Sequence, residues 1–212
     1  MKGLLTALLI SGTLSAMAQG NSVTSVTASY DNDAVAELYD RMPIGLQLTY
    51  QNGQVRKTEG YLGGNYRWNR MKITTSNGTL QNGYLTVNRQ QLAQQHYKIE
   101  LTITLPDTEK PLTATLTLPH LEHIRFNHYA DSLKRGIRFY LNVEGTFSSG
   151  KIYPLDTASI KFETDKGKLL GQDLLLNSND KETRFITVTA TNRHDAAMSV
   201  TSTIPVKQLS DQ

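Results

Sequence analysis

The chain has 212 residues, 22 Lys or Arg against 19 Asp or Glu for a net charge of +3, and no cysteine. So small an excess gives no concentrated field for nucleic acid. Without cysteine there is neither a disulfide framework nor a lipid-modified thiol to tether the chain, so packing alone must hold the fold.

The N-terminus "MKGLLTALLISGTLSAMAQG" has a basic Lys2, an apolar run from Leu4 to Ile10 and the small-x-small triplet Ala16-Met17-Ala18. This pattern predicts a signal peptide over residues 1–18, cleaved after Ala18. The run is much shorter than the roughly 20 residues that cross a bilayer, so export as a soluble chain is expected, to the periplasm or the cell surface. No transmembrane segment is predicted in the mature chain.

Further along, "DAVAELYD" (33–40) and "ADSLKRG" (130–136) each predict a single helical turn, and no other segment has a helical pattern. In "YKIELTITL", Ile99, Leu101, Ile103 and Leu105 alternate with polar residues, a period of two that marks a half-buried strand. "GIRFYLNVEG" predicts another, with Ile137, Phe139, Leu141 and Val143 on one face.

"MKITTSNGTLQNGYLTVN" from Met71 lies without a gap on "IKFETDKGKLLGQDLLLN" from Ile160, with Gly78 on Gly167 and Asn88 on Asn177. Downstream, "YKIELTIT" falls on "RFITVTAT", and "TATLTLP" ending at Pro119 falls on "SVTSTIP" ending at Pro205. Upstream, "LQLTYQNG" (46–53) falls near "FYLNVEG" (139–145). A period near ninety residues exceeds any solenoid repeat, so a whole domain has been copied, with predicted boundaries 22–119 and 120–207. About seven short Thr-rich strands per copy, separated by Gly, Asn, Asp and Pro clusters, predict an all-β chain of two tandem immunoglobulin-like β-sandwich domains. Gly78 and Gly167 follow polar pairs between strands, where a tight turn needs positive φ.

The stretch "IRFYLNVEGTFSSGKIYPLDTASIKFETDKGKLLG" resembles the bacterial immunoglobulin-like modules of envelope and surface proteins. In these a strand ending in Gly precedes a Gly-Lys-hydrophobic strand and a later Gly-x-Leu-x-Gly turn. The leader followed by Gln19 is similar to those of exported Bacteroidota proteins. The resemblance implies a non-enzymatic accessory, adhesive or assembly role outside the cytoplasm. Asp131-Ser132-Leu133 and Asp156-Thr157-Ala158 likewise resemble the O-glycosylation acceptor of that lineage.

The segment that breaks the repeat is "EGYLGGNYRWNR" (59–70), opposite "KIYPLDTAS" in the second copy. Tyr61, Asn65, Tyr66, Arg67 and Trp68 are its candidate ligand-binding residues, since flat rings with amide and guanidinium donors can stack on a sugar or anchor a protein. Trp68 and Tyr66 could equally fill the core, as Trp is highly buried on average. His120, His123 and His128 suggest a metal site, but on a strand the first two face opposite sides, so no metal is expected. His194 beside Asp195 lacks a nucleophile, and Glu59, Glu144 and Glu163 form no spaced acid pair. No catalytic residues and no cofactor are therefore predicted. The expected function is an envelope or surface interaction and adhesion module that binds a protein partner, with carbohydrate binding through the aromatic segment as the alternative.

Overall fold

The computed structural model describes residues 22–208; the signal peptide expected over 1–18 lies outside them. The described residues are all-β, with several antiparallel sheets and no barrel among them. The strands, in order, are β1 (Val23–Tyr30), β2 (Arg41–Tyr50), β3 (Val55–Lys57), β4 (Lys72–Thr75), β5 (Thr79–Gln81) and β6 (Tyr84–Thr86). After a short helix α1 (Arg89–Gln94) come β7 (Lys98–Thr104) and β8 (Leu112–Thr117). The second half runs β9 (Leu121–Phe126), β10 (Phe139–Tyr140), β11 (Val143–Phe147), β12 (Ile152–Leu155), β13 (Ile160–Thr164), β14 (Lys168–Leu170), β15 (Asp173–Leu175), β16 (Phe185–Asn192) and β17 (Asp195–Pro205).

In the first half, β1-β2-β6-β5, with β3 also on β2, faces a second sheet, β4-β7-β8. Ile44, Leu46 and Leu48 from one sheet and Ile99, Leu101 and Ile103 from the other meet in a single core, each 1% exposed or less. Each such side chain contributes about 1.5–3 kcal/mol relative to an exposed one. The alternation read in β7 thus holds residue by residue.

The second half repeats these pairings. Strands β13-β16-β17 match β4-β7-β8, β14 and β15 match β5 and β6, and β9-β11-β12 match β1-β2-β3. Within the ungapped stretch the match extends to register: Thr79 faces Thr86 and Gln81 faces Tyr84, as Lys168 faces Leu175 and Leu170 faces Asp173. Gly78 and Gly167 both have positive φ, +66° and +80°, as the tight turn requires.

Elsewhere the hydrogen bonds correct the sequence alignment. Tyr50 N donates to Gln54 O and Phe147 N to Lys151 O, while Gly53 N and Gly150 N donate to Tyr50 O and Phe147 O. Gly53 therefore matches Gly150 rather than Gly145. Leu118 N donates to Tyr97 O as Val206 N donates to Arg184 O, which moves the last strand two residues from the Pro-on-Pro match. A two-residue slip keeps the same face inward, so the apolar pattern could not reveal it.

Two expectations about elements fail. The strand expected through Ile137 to Val143 is broken into β10 on β15 and β11 on β9 and β12, and Ile137 is 57% exposed. Leu141 N still donates to Gln172 O, but Asn127 N donates to Asn142 O, so the ladder changes partner between neighbouring residues. Two core clusters result, bridged by Phe126 and Phe162. Segment 130–136 is not helical, because Leu133 is fully buried and bridged to Val206. In 33–40 the expected single helical turn is present, as a 3-10 turn over Asn32–Ala34 followed, past the left-handed Val35 at φ +50°, by a turn in which Tyr39 N donates to Val35 O. Helix α1 has no warning in the pattern, since its one buried apolar residue, Leu92, cannot establish a period.

Candidate functional site

The loop between β3 and β4 has no counterpart in the second half, where a short turn joins β12 to β13. It begins at Thr58, which is fully buried and accepts a hydrogen bond from Leu46 N at 3.0 Å through its hydroxyl. Tyr66 N donates to Lys57 O and Glu59 N to Tyr66 O, both at 3.0 Å, so the chain returns beside its own start. Gly64 sits against β3 so closely that a Cβ there would lie 2.0 Å from Lys57 O. Leu62 packs directly over Gly45 of β2. These contacts make the loop a closed, anchored feature.

Its side chains divide. Trp68 is 8% exposed and belongs to the first-half core. The indole Nε1 donates to Glu59 O at 3.2 Å, and the ring lies against Gly83, where a Cβ would come within 2.8 Å. Trp68 is therefore a packing residue and is corrected as a ligand candidate: the missing side chain at position 83 is what lets its ring enter the core. Tyr61 is exposed and does not line the hollow that gathers the others. Asn65, Tyr66 and Arg67 do come together.

They line an open basin of about 340 Å³ with Arg56 and Arg70. A neighbouring hollow of about 630 Å³ shares Arg56 and Asn65 and continues along β3 past Lys57 and Gly63-Gly64. Tyr66 is half-buried and packs on the core. Burial first, then Tyr50 and Asp107, push its phenol pKa up against the lowering effect of Arg70 and Arg56. The Arg56 guanidinium stands 5.2 Å above the Tyr50 ring. Sequence reading missed Arg56 because it lies on β3, outside the segment that breaks the repeat; the adjacent pair Arg56-Lys57 was the available signal. An open basin lined with guanidinium, amide and phenol groups can hold an anion and hydrogen-bond its neighbouring oxygens.

The histidines are dispersed, and only His120 and His128 have packing roles. His120 stacks on Tyr97 at 4.3 Å and His128 on Phe126 at 4.9 Å, and His123 is exposed. His128 Nε2 lies 2.8 Å from Ser202 Oγ, a Ser–His pair the sequence did not reveal. Its Nδ1 is buried without a partner, so no carboxylate orients the ring, and burial lowers its pKa. His194 is exposed in the β16–β17 turn, and Asp195 Oδ1 accepts from Ala197 N. Glu144 is held by Asn127 and Arg125, which lower its pKa. Glu163 pairs with Lys161, and Glu59 braces Trp68 N. Among the described residues no cluster of three or more His, Asp or Glu is placed to hold a metal. Nor is any helix there long and apolar enough to cross a membrane.

No protein-family model and no curated protein matches the chain. Among solved structures the chain is similar to domains 4 and 5 of the S-layer protein SbsC. Identity is 12% and the TM-score 0.31, over 87% of this chain and 98% of that one. The superposition is too loose to carry either fold or role from that protein to this one.

Proposed function

We propose that the chain is a non-catalytic interaction module working outside the cytoplasm, in the periplasm or at the cell surface. It consists of two tandem immunoglobulin-like β-sandwich domains, 22–119 and 120–207. Export is supported by the leader pattern of residues 1–18. The two-domain reading is supported by sheet pairings that recur half by half. One observation carries the functional reading: the β3–β4 loop, unmatched in the second half, gathers Arg56, Asn65, Tyr66, Arg67 and Arg70 around an open basin. Repeated positions serve the scaffold, and the position where the copies part is where recognition is placed.

The partner is an envelope or surface protein. A second reading, carbohydrate binding, is favoured by the half-buried Tyr66 ring beside the exposed Asn65 amide. The test is capture from envelope extract by the purified chain in parallel with a Tyr66→Ala/Arg67→Ala variant of unchanged melting temperature. Retention of one defined component by the parent and its loss from the variant supports the module and its binding face. Equal retention by both, or none by either, overturns the assignment of that face.

A further inference from the structure

The structure accounts for nearly every arginine among the described residues except those of one basin. Arg125 and Arg138 pair with Glu144 and Asp173, and Arg89 with Asp40. Arg135 donates to the carbonyls of Asp180, Thr183 and Lys207. Arg193 and Arg184 donate to Thr157 O and the Gln208 amide oxygen, and Arg41 lies 4.1 Å above the Tyr84 ring. By contrast, Arg67 and Arg70 have no hydrogen bond or ion pair from their side chains, and Arg56 has only the Tyr50 ring. Asp107 acts electrostatically on Tyr66 from nearby but forms no ion pair with any of the three. Two uncommitted guanidiniums and a third held only by a more distant ring line one hollow, an arrangement of like charge that an anion would relieve.

We infer that this basin binds the anionic group of an acidic saccharide, a uronate carboxylate or a sulfate ester, with the adjoining sugar ring against Tyr66 and Asn65. The inference rests on the second reading above, carbohydrate binding at the face made by the β3–β4 loop. A guanidinium presents two parallel N–H donors that match the paired oxygens of a carboxylate or sulfate. The half-buried phenol ring offers an amphipathic face, and the amide supplies a donor and an acceptor for sugar hydroxyls. The second hollow, sharing Arg56 and Asn65, extends the site along β3 toward Lys57 and so provides length for more than one sugar unit. An acidic protein segment fits less well, because protein interfaces place apolar and aromatic residues at their centre, whereas the basin has only Tyr66 and the second hollow only Val55 and Leu62. A nucleic acid strand is disfavoured by the single stacking ring and the near-neutral charge of this half.

The test is titration of the purified chain with oligogalacturonate and chondroitin sulfate, beside neutral dextran, polyglutamate and oligothymidylate. The acidic saccharides are expected to bind and dextran not to. Arg67→Ala/Arg70→Ala should weaken binding at least about tenfold, since each charged hydrogen bond lost is worth roughly that factor. Arg67→Lys/Arg70→Lys should weaken it as well, although the charge is kept, because the paired donors are gone. Both positions are exposed, so the variants should melt with the parent. No binding of either acidic saccharide, an unaffected alanine or lysine variant, or tighter binding of polyglutamate or oligothymidylate overturns the inference. If the saccharides fail while envelope capture is still lost on Tyr66→Ala/Arg67→Ala, the loop remains the binding face and only the ligand class falls.

Discussion

Gly83 and Trp68 show how one absent side chain decides the role of another residue. Gly83 has φ +81°, and a Cβ there would meet the indole at 2.8 Å. Gly83→Ala therefore combines a left-handed backbone with overpacking and is expected to destabilise the chain by about 2–4 kcal/mol in urea unfolding. A change under about 0.5 kcal/mol would mean the ring has room to move. His128 makes a pH-dependent expectation. Burial lowers its folded pKa below the ordinary value near 6.5, so the unfolded chain takes up the proton first. Its contribution is complete above that value and is lost as pH falls toward the folded pKa. Stability should decline from neutral pH into the mildly acid range, and His128→Leu should flatten that slope. Glu144 has the same sign of linkage, since its lowered carboxylate pKa also lets the unfolded chain take up the proton first, but its contribution is lost only below the ordinary value of 4.5, so the two windows separate. Of the basin, Asn65, Tyr66 and Arg67 were legible because they interrupt the repeat. The role of Trp68 was not, since it depends on a glycine fifteen positions away, in the β5–β6 turn.

At the scale of elements, α1 is held by a residue outside it. Asn77 is 1% exposed; its amide donates to Asn88 O at 3.1 Å and Gln95 Oε1 at 3.0 Å, and its Oδ1 accepts from Asn88 N at 2.8 Å. Asn88 then caps the helix by accepting from Gln91 N. The second half has Lys166 at the matching position and no helix. Asn77→Ala removes three hydrogen bonds and leaves Asn88 N and O without this partner, so a loss of about 2–3 kcal/mol is expected from urea unfolding. Faster amide exchange confined to 88–97 would locate that loss at α1. This dependence explains what could be read beforehand. Strand β7 declares itself because each of its residues repeats one rule, inward or outward, over seven positions. Helix α1 depends on one buried Asn eleven residues before its cap, and the β10–β11 break on a change of hydrogen-bond partner, and neither leaves a period. The same holds for strands of three residues such as β5 and β6, which is why eight strands precede Leu118 where about seven were expected.

At the scale of the molecule, the two halves meet through a contact that sequence cannot show, because its members lie over a hundred positions apart. Glu37, after the left-handed Val35, is 5% exposed and accepts from Ser149 Oγ at 2.7 Å in the β11–β12 turn. Lys151 Nζ stands 3.8 Å from the same carboxylate and donates to Asn32 O. Tyr30 lies close enough for Glu37 to raise its phenol pKa further, after burial. Beside this contact, Tyr97 of the first half stacks on His120 of the second. Glu37 Oε2 has no hydrogen-bond partner and is buried, so the carboxylate is incompletely compensated and depends strongly on what remains. Ser149→Ala takes away its one side-chain hydrogen bond and is expected to destabilise the chain by about 1.5–3 kcal/mol. Glu37→Ala removes the buried charge together with the need for Ser149, so the double variant should be no worse than Ser149→Ala alone. A double-mutant cycle in urea should then give a coupling of at least about 1 kcal/mol. Coupling of that size would mean that the halves stabilise one another through the carboxylate, which fixes the direction in which the basin faces relative to the second half. Additive effects would mean that each half stands on its own core and that the contact orients nothing.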